Sequence, residues 1–280
     1  MANSCDQKRD NFKPVFKYYK NYLNSYKNEK IIDFSKIDKT KYGLRKISID
    51  LNKTIESPIS GDFRDLREWE VFAVEDMEGL LVIPQILKKE ASEKWFNYLL
   101  KELPFSNSHD LRANISLPPI KPIKDSNLRW ISFGYHYDWS SKLYDHSFQS
   151  PIPLRIRQLS EYVSRSLGFD EFRGEGGLIN YYRNDSTLCP HSDHSEPNQT
   201  APLFSLSLGS SAVFLIGGRT KSSDKPIIPM YLRDSDLLVM SSESRQSFHA
   251  IPKILSDGSD GNKNSGKEIK RINLNIRQVY

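Results

Sequence analysis

The chain has 280 residues, 38% of them hydrophobic, and its 40 Lys and Arg outnumber 35 Asp and Glu to give a formal charge of +5. That length can bury a sizeable core as one domain, and two cysteines, Cys5 and Cys189, are too few for a disulfide framework and point to a reducing compartment. No apolar run approaches the ~20 residues a membrane-crossing helix needs, and the polar, charged start does not read as a secretory signal.

The basic excess sits at the front: residues 1–60 hold 13 Lys and Arg against 7 Asp and Glu, so the rest is slightly acidic. Residues 1–74 read as a basic, partly helical extension. Its segment Phe16-Lys17-Tyr18-Tyr19-Lys20-Asn21-Tyr22 can pair phosphates and stack on bases, or can pack Phe16, Tyr19 and Leu23 on the domain as an amphipathic helix. Few arginines and several acids make it a poor mitochondrial transit peptide. Leu87, Ala91, Trp95 and Leu99 recur every fourth residue and predict a helix over 86–103. Residues 104–127, with Pro104, Pro118, Pro119 and Pro122, read as a loop, and 129–137 as a strand. Ile156, Leu159, Tyr162 and Val163 predict a helix over 153–167 that stops at Gly168.

After Gly177 the pattern changes to short strands: 178–182, 204–208, 212–216, 229–232, 237–240 and 272–279. Residues 256–267, rich in Ser, Gly, Asp, Asn and Lys, read as a disordered loop. Helices followed by many short strands fit an α+β chain, with a double-stranded β-helix (jelly roll) core over about 175–280 and the N-terminal helices packed outside.

Two features carry chemistry. His191 and Asp193 stand two apart on an extended segment and point the same way, and His249 can complete a two-histidine, one-carboxylate set that leaves three positions open on Fe(II). Cys189, two residues before His191, reads as a small residue leading into that loop. Arg271-Ile272-Asn273-Leu274-Asn275-Ile276-Arg277 alternates at every step, so Arg271, Asn273, Asn275 and Arg277 share one face of a strand. The two arginines are then roughly 20 Å apart at Cα, at about 3.3 Å per residue. Leaning inward, they leave a gap that suits a small dicarboxylate. An edge strand with a solvated polar face is the plainer reading of the same pattern.

Asn180-Tyr181-Tyr182, His191-Ser192-Asp193, His249 and Arg271-x-Asn273-x-Asn275-x-Arg277, in that order, resemble the AlkB family of Fe(II)- and 2-oxoglutarate-dependent dioxygenases. Leu128 to Trp139 looks like that family's nucleotide-lid region, extending over about 128–145. The run Gly134-Tyr135-His136-Tyr137 and the stretch from Asn180 to Glu196 look closest to the eukaryotic homologue-1 branch. The resemblance covers roughly residues 75–280 and implies the same jelly-roll fold.

The resemblance implies Fe(II) on His191, Asp193 and His249, with 2-oxoglutarate and O2 as cosubstrates. Arg271 is then the candidate for the distal carboxylate, Arg277 lies nearer the metal, and Asn180, Tyr182 and Asn273 face the cosubstrate. Trp130, Tyr135, His136, Tyr137 and Trp139 become candidates for holding a flipped base. Glu196 reads equally as a site contact or an exposed loop acid. Asn275 replaces a frequent Thr. Ser195 stands where bacterial repair enzymes of the family carry an aspartate, which puts repair of cationic 1-methyladenine or 3-methylcytosine in doubt.

The partners implied are tRNA or DNA with methylated bases, and histone tails. A monomer is expected, in the nucleus or cytoplasm, with the mitochondrion also open. The branch brings a competing activity, a lyase at abasic DNA using a lysine Schiff base, for which Lys88, Lys89, Lys94, Lys121 and Lys124 are all candidates.

Overall fold

The computed structural model describes residues 9–21, 31–37, 43–51, 55–106, 111–114, 127–138, 140–255 and 268–280. The loop expected at 256–267 lies outside them, as do Tyr22, Leu23, Trp139, Lys121 and Lys124.

Two antiparallel sheets face each other. The larger contains β1 (Leu44–Ile47), β2 (Val71–Val74), β3 (Leu80–Ile83), β4 (Arg112–Ala113), β5 (Trp130–Asp138), β6 (Leu143–Gln149), β7 (Gly176–Tyr182), β9 (Leu203–Gly209), β12 (Leu237–Met240) and β14 (Arg271–Arg277). Its order is β1-β2-β3-β12-β9-β14-β7-β5-β4, with β6 pairing onto β5. The smaller, in the order β11-β10-β13-β8, is made of β8 (Leu188–His191), β10 (Ala212–Ile216), β11 (Ile228–Leu232) and β13 (His249–Ile254). Every strand expected after Gly177 is present within a residue or two of its anticipated ends.

The alternation in β14 explains its place. Ile272, Leu274 and Ile276 are 0–2% exposed on one face, where each buried aliphatic side chain stabilises the fold by roughly 2 kcal/mol. They pack beneath α2 (Lys89–Asn97) and α4 (Leu154–Ser166), in one cluster with Trp95, Leu99, Ile156 and Val163. Gly168 follows α4 at φ +84°, the left-handed conformation a glycine accepts at a helix end. The helix expected over 86–103 begins three residues late, because Lys88 is extended at ψ 150°. It continues as a π-helical turn, Tyr98–Glu102, into a short α3 (Leu103–Ser106). The proline-rich stretch also supplies β4, so it is not wholly loop.

The other face of the large sheet meets the small one through Val82, Leu203, Leu238 and Met240 against Phe214, Ile216, Leu232 and Ile251. On the far side of the small sheet α1 (Phe12–Lys20) buries Phe12 and Tyr19 against Val213, Leu215 and Ala250. The packing reading of this leader segment therefore holds for Tyr19 and the half-buried Phe16, and Phe12, which that reading did not include, packs with them. β1 and β2 pair with each other and β2 with β3, so the division expected at residue 74 runs through a hairpin of the same sheet.

Candidate active site

The metal ligands converge because β8 and β13 are neighbours. His191 and His249 are direct cross-strand partners, with ring centroids 4.3 Å apart. Asp193 follows two residues after the end of β8, its Oδ1 3.7 Å from His191 Nε2. The three side chains offer ligand atoms within 4.8 Å of one another. Each histidine is aimed by the same local device: His191 Nδ1 donates to Cys189 O at 2.9 Å and His249 Nδ1 to Ser247 O at 3.0 Å. That bond leaves Nε2 with its lone pair for a metal. Burial pushes the pKa of His249 down to about 4, keeping it neutral. Burial alone would raise Asp193, but Arg277 beside it holds it well below the usual carboxylate range. Two imidazoles and one carboxylate are a donor set suited to Fe(II) with three open positions.

Those positions face a cavity of about 500 Å³ between the sheets. Its floor is β14 with its two neighbours, so the edge-strand reading of Arg271–Arg277 gives way to a central strand paired on both sides. Asn273 lies in register with Asn180 and Ser207, Asn275 with Leu178 and Ser205, and Arg271 with Tyr182 and Gly209. Arg277 sits at the metal end, donating to Asp193 Oδ2 at 2.7 Å. Arg271 sits at the other end, wholly buried. Among the described residues it donates only to the uncharged oxygens of Ser210 O, Leu232 O and Ser207 Oγ, at 3.0, 3.1 and 2.7 Å. Its Nε, like that of Arg277, is buried without a hydrogen-bond partner, but unlike Arg277 it has no carboxylate against it among the described residues, which fits a guanidinium that receives an anion. Tyr182, its phenol pushed up to about 12 by burial, stays a protonated donor. Asn273 lines the cavity, but its amide already donates to Ser205 Oγ and Leu206 O, so it braces the floor.

The aromatic wall depends on one glycine. Strict alternation would put Trp130 and Tyr135 on opposite faces of β5, yet both line the cavity together with Ser132 and Tyr137. Gly134 makes the change of phase at φ +68°, and a Cβ there would stand 2.1 Å from Glu175 O; only glycine fits. The same shift corrects the expectation for His136. It is 3% exposed, does not line the cavity, bonds Ser132 Oγ at 2.8 Å and packs edge-on to Phe148. Burial lowers its pKa to about 4.

Glu196 is no exposed loop acid. It is 3% exposed and pairs with Arg245 at 3.1 Å and Arg277 at 3.3 Å. Arg245 and Tyr144, both in contact with it, were not expected at the site. The exposed Cys189 lends its backbone carbonyl to His191. Lys88, Lys89 and Lys94 are exposed and none of them lines the cavity.

Two imidazoles and a carboxylate at one end of a jelly-roll cavity, with a buried guanidinium at the other, define a metal-dependent oxygenase that takes an acidic cosubstrate. The pattern of the 2OG-Fe(II) oxygenase superfamily matches residues 79–277, and the chain belongs to that superfamily. Its relatives carry AlkB-family names, among them several of the homologue-1 branch. It is 44% identical over 128 residues to human "Nucleic acid dioxygenase ALKBH1", a match covering 46% of this chain and 32% of that one. It is 29% identical over 292 residues to the Schizosaccharomyces pombe "tRNA demethylase abh1", covering 87% and 95%. The match thus spans about a third of the human relative's length and nearly all of the yeast one's. The solved structure of OsALKBH1 shares the fold, with a TM-score of 0.50 at 21% identity over 71% of this chain and 96% of that chain.

Proposed function

We propose that this chain oxidatively demethylates a nucleobase in tRNA or in unpaired DNA, releasing formaldehyde, succinate and CO2. The observation that carries the reading is the aromatic wall of Trp130, Tyr135 and Tyr137 lining the same cavity as the metal ligands. A base leaving its stack needs such a surface, and a human relative named a nucleic acid dioxygenase and a yeast one named a tRNA demethylase point the same way.

Fe(II) with 2-oxoglutarate and O2, when bound, supplies the oxidation of a methyl group coupled to conversion of the cosubstrate to succinate and CO2. The residues of the chain do the rest. His191, Asp193 and His249 hold the metal, and Arg277 keeps Asp193 ionised. Arg271 receives the distal carboxylate, and Asn180 and Tyr182 donate hydrogen bonds along the cosubstrate. The rings of β5 hold the base by stacking. The two carboxylates that line the cavity, Asp193 and Glu196, are both engaged. A hydroxymethyl group formed on nitrogen collapses to formaldehyde and the bare base.

No helix among the described residues is long and apolar enough to cross a membrane. An exposed free cysteine beside the metal ligands suits a reducing compartment, nuclear, cytoplasmic or mitochondrial.

The test offers Fe(II)-loaded protein, 2-oxoglutarate and ascorbate with methylated tRNA, single-stranded DNA, bulged DNA or a histone tail, with His191→Ala alongside. Formaldehyde and succinate stimulated by a nucleic acid and lost in the variant support the reading. Succinate stimulated only by the histone tail would overturn the substrate class.

A further inference from the structure

The metal loop after β8 is tied to the β5–β6 hairpin by two phenols. Tyr137 and Tyr144 face each other across that hairpin, with ring centroids 5.4 Å apart. Ser195 Oγ donates to the Tyr137 oxygen at 3.4 Å, and the Tyr144 hydroxyl donates to Glu196 Oε1 at 3.0 Å.

From Glu196 two arms lead to the same metal ligand. In one, Arg277 Nε stands 3.3 Å from Glu196 Oε1 while its Nη2 holds Asp193 Oδ2 at 2.7 Å. In the other, Arg245 pairs with Glu196 Oε2 at 3.1 Å and donates from Nη1 to the Asp193 backbone carbonyl at 2.8 Å. The ring therefore closes on Asp193 through both its carboxylate and its backbone. It holds two cations and two anions, and Arg245 and Glu196 are only 2% and 3% exposed at the side chain.

A metal-bound carboxylate is oriented by whatever holds its other oxygen, and losing such an outer partner typically costs ~10–100-fold in metal affinity. Arg277 is that partner for Asp193, leaving Oδ1 on the side of His191. Arg277 is shared with Glu196, so the place of Glu196 sets the angle from which Arg277 approaches. Tyr144 in turn fixes one oxygen of Glu196 and belongs to the cavity wall.

We propose that Glu196 is a positioning residue for Asp193, and that Tyr144 latches the hairpin wall to it, so that wall and metal site act as one unit. The inference rests on the metal site and holds for any substrate that site serves.

The test needs no turnover, so its failure is distinct from failure of the substrate reading. Co(II) is titrated into metal-free wild type, Tyr144→Phe, Glu196→Gln and the double variant. Kd and the visible Co(II) spectrum are read, and thermal unfolding reports on the fold. Tyr144→Phe keeps its ring packing and is expected to unfold with the wild type. Both single variants are expected to bind Co(II) ~10-fold more weakly, with an altered spectrum. The double variant should lose less than the product of the two, because both act through one chain of contacts. A folded Tyr144→Phe that binds Co(II) within about twofold of wild type, with the same spectrum, would overturn the latch. Should Glu196→Gln fail to fold, Tyr144→Phe alone decides.

Discussion

Arg277 and Arg271 share one face of one buried strand, yet their surroundings are opposite. Arg277 lies between Asp193 and Glu196, and although burial works against its charge, those two carboxylates raise its pKa above the usual value. Arg271 touches only neutral acceptors; burial brings it down to about 10, partly offset by Tyr182, Asp236 and Asp234. A buried cation already paired belongs to the frame, whereas one left short of an anion is a receptor for one. The metal end of the cavity is built in advance. The cosubstrate end is completed by what binds there.

The sharpest way to break this contrast is to remove each charge in turn. Arg277→Met leaves Asp193 buried without its cation and Glu196 with Arg245 alone, and unfolding in denaturant is expected to show a loss of about 3–5 kcal/mol. Arg271→Met breaks no ion pair but takes a donor from three acceptors, so the same measurement should show a smaller loss, about 1–3 kcal/mol. Equal losses in both variants would dissolve the distinction.

The pH dependence probes the metal end next. His249 has its pKa depressed to about 4 in the folded chain against about 6.5 unfolded. The unfolded chain therefore binds the extra proton first. Stability of the metal-free protein is full above about pH 6.5 and falls as pH drops toward 4, by roughly 3 kcal/mol for this group at about 1.4 kcal/mol per unit. His136, also at about 4, acts in the same window. Thermal unfolding across that range should follow this fall, and His136→Gln should flatten it by about half.

At the cosubstrate end, Arg271→Met should raise the KM for 2-oxoglutarate about 100-fold, the order expected when a buried charged partner is truncated. Folding and Co(II) binding should survive. Smaller still is the wall. Tyr137→Ala or Trp130→Ala should weaken binding of a methylated single strand by about 1–3 kcal/mol for the base that loses its platform.

Legibility in the sequence divides along similar lines. β14 announced its face because one side is aliphatic and the other polar at every step. The jelly roll was legible from the run of short strands, and His191 and Asp193 from their spacing. β6 was not legible, since Leu143–Gln149 is mostly exposed on both faces and carries no alternation. β2 and β3 are continuous apolar runs of four, which periodicity cannot tell from buried helix. β8 hides behind Pro190, which breaks the strand pattern. That His136 turns away from the cavity is not legible, because the phase change at Gly134 depends on Glu175, 41 residues away, whose carbonyl bars a side chain there. For Glu196 the sequence leaves a site contact and a loop acid equally open, because the two arginines that bury it, Arg245 and Arg277, lie far downstream. Local pattern shows which way a side chain points. It does not show what stands opposite.

One measurement goes most directly to the claim that the cavity joins a metal end to an acid-receiving end. Under anaerobic conditions, 2-oxoglutarate is titrated into Fe(II)-loaded wild type and Arg271→Met while the visible absorption is followed. A keto acid chelating Fe(II) through its keto and adjacent carboxylate oxygens gives a charge-transfer band. The account predicts that band in the wild type at saturating 2-oxoglutarate, and in Arg271→Met only at about 100-fold higher concentration. No band in the wild type with iron bound, or identical titrations for the two proteins, would contradict it.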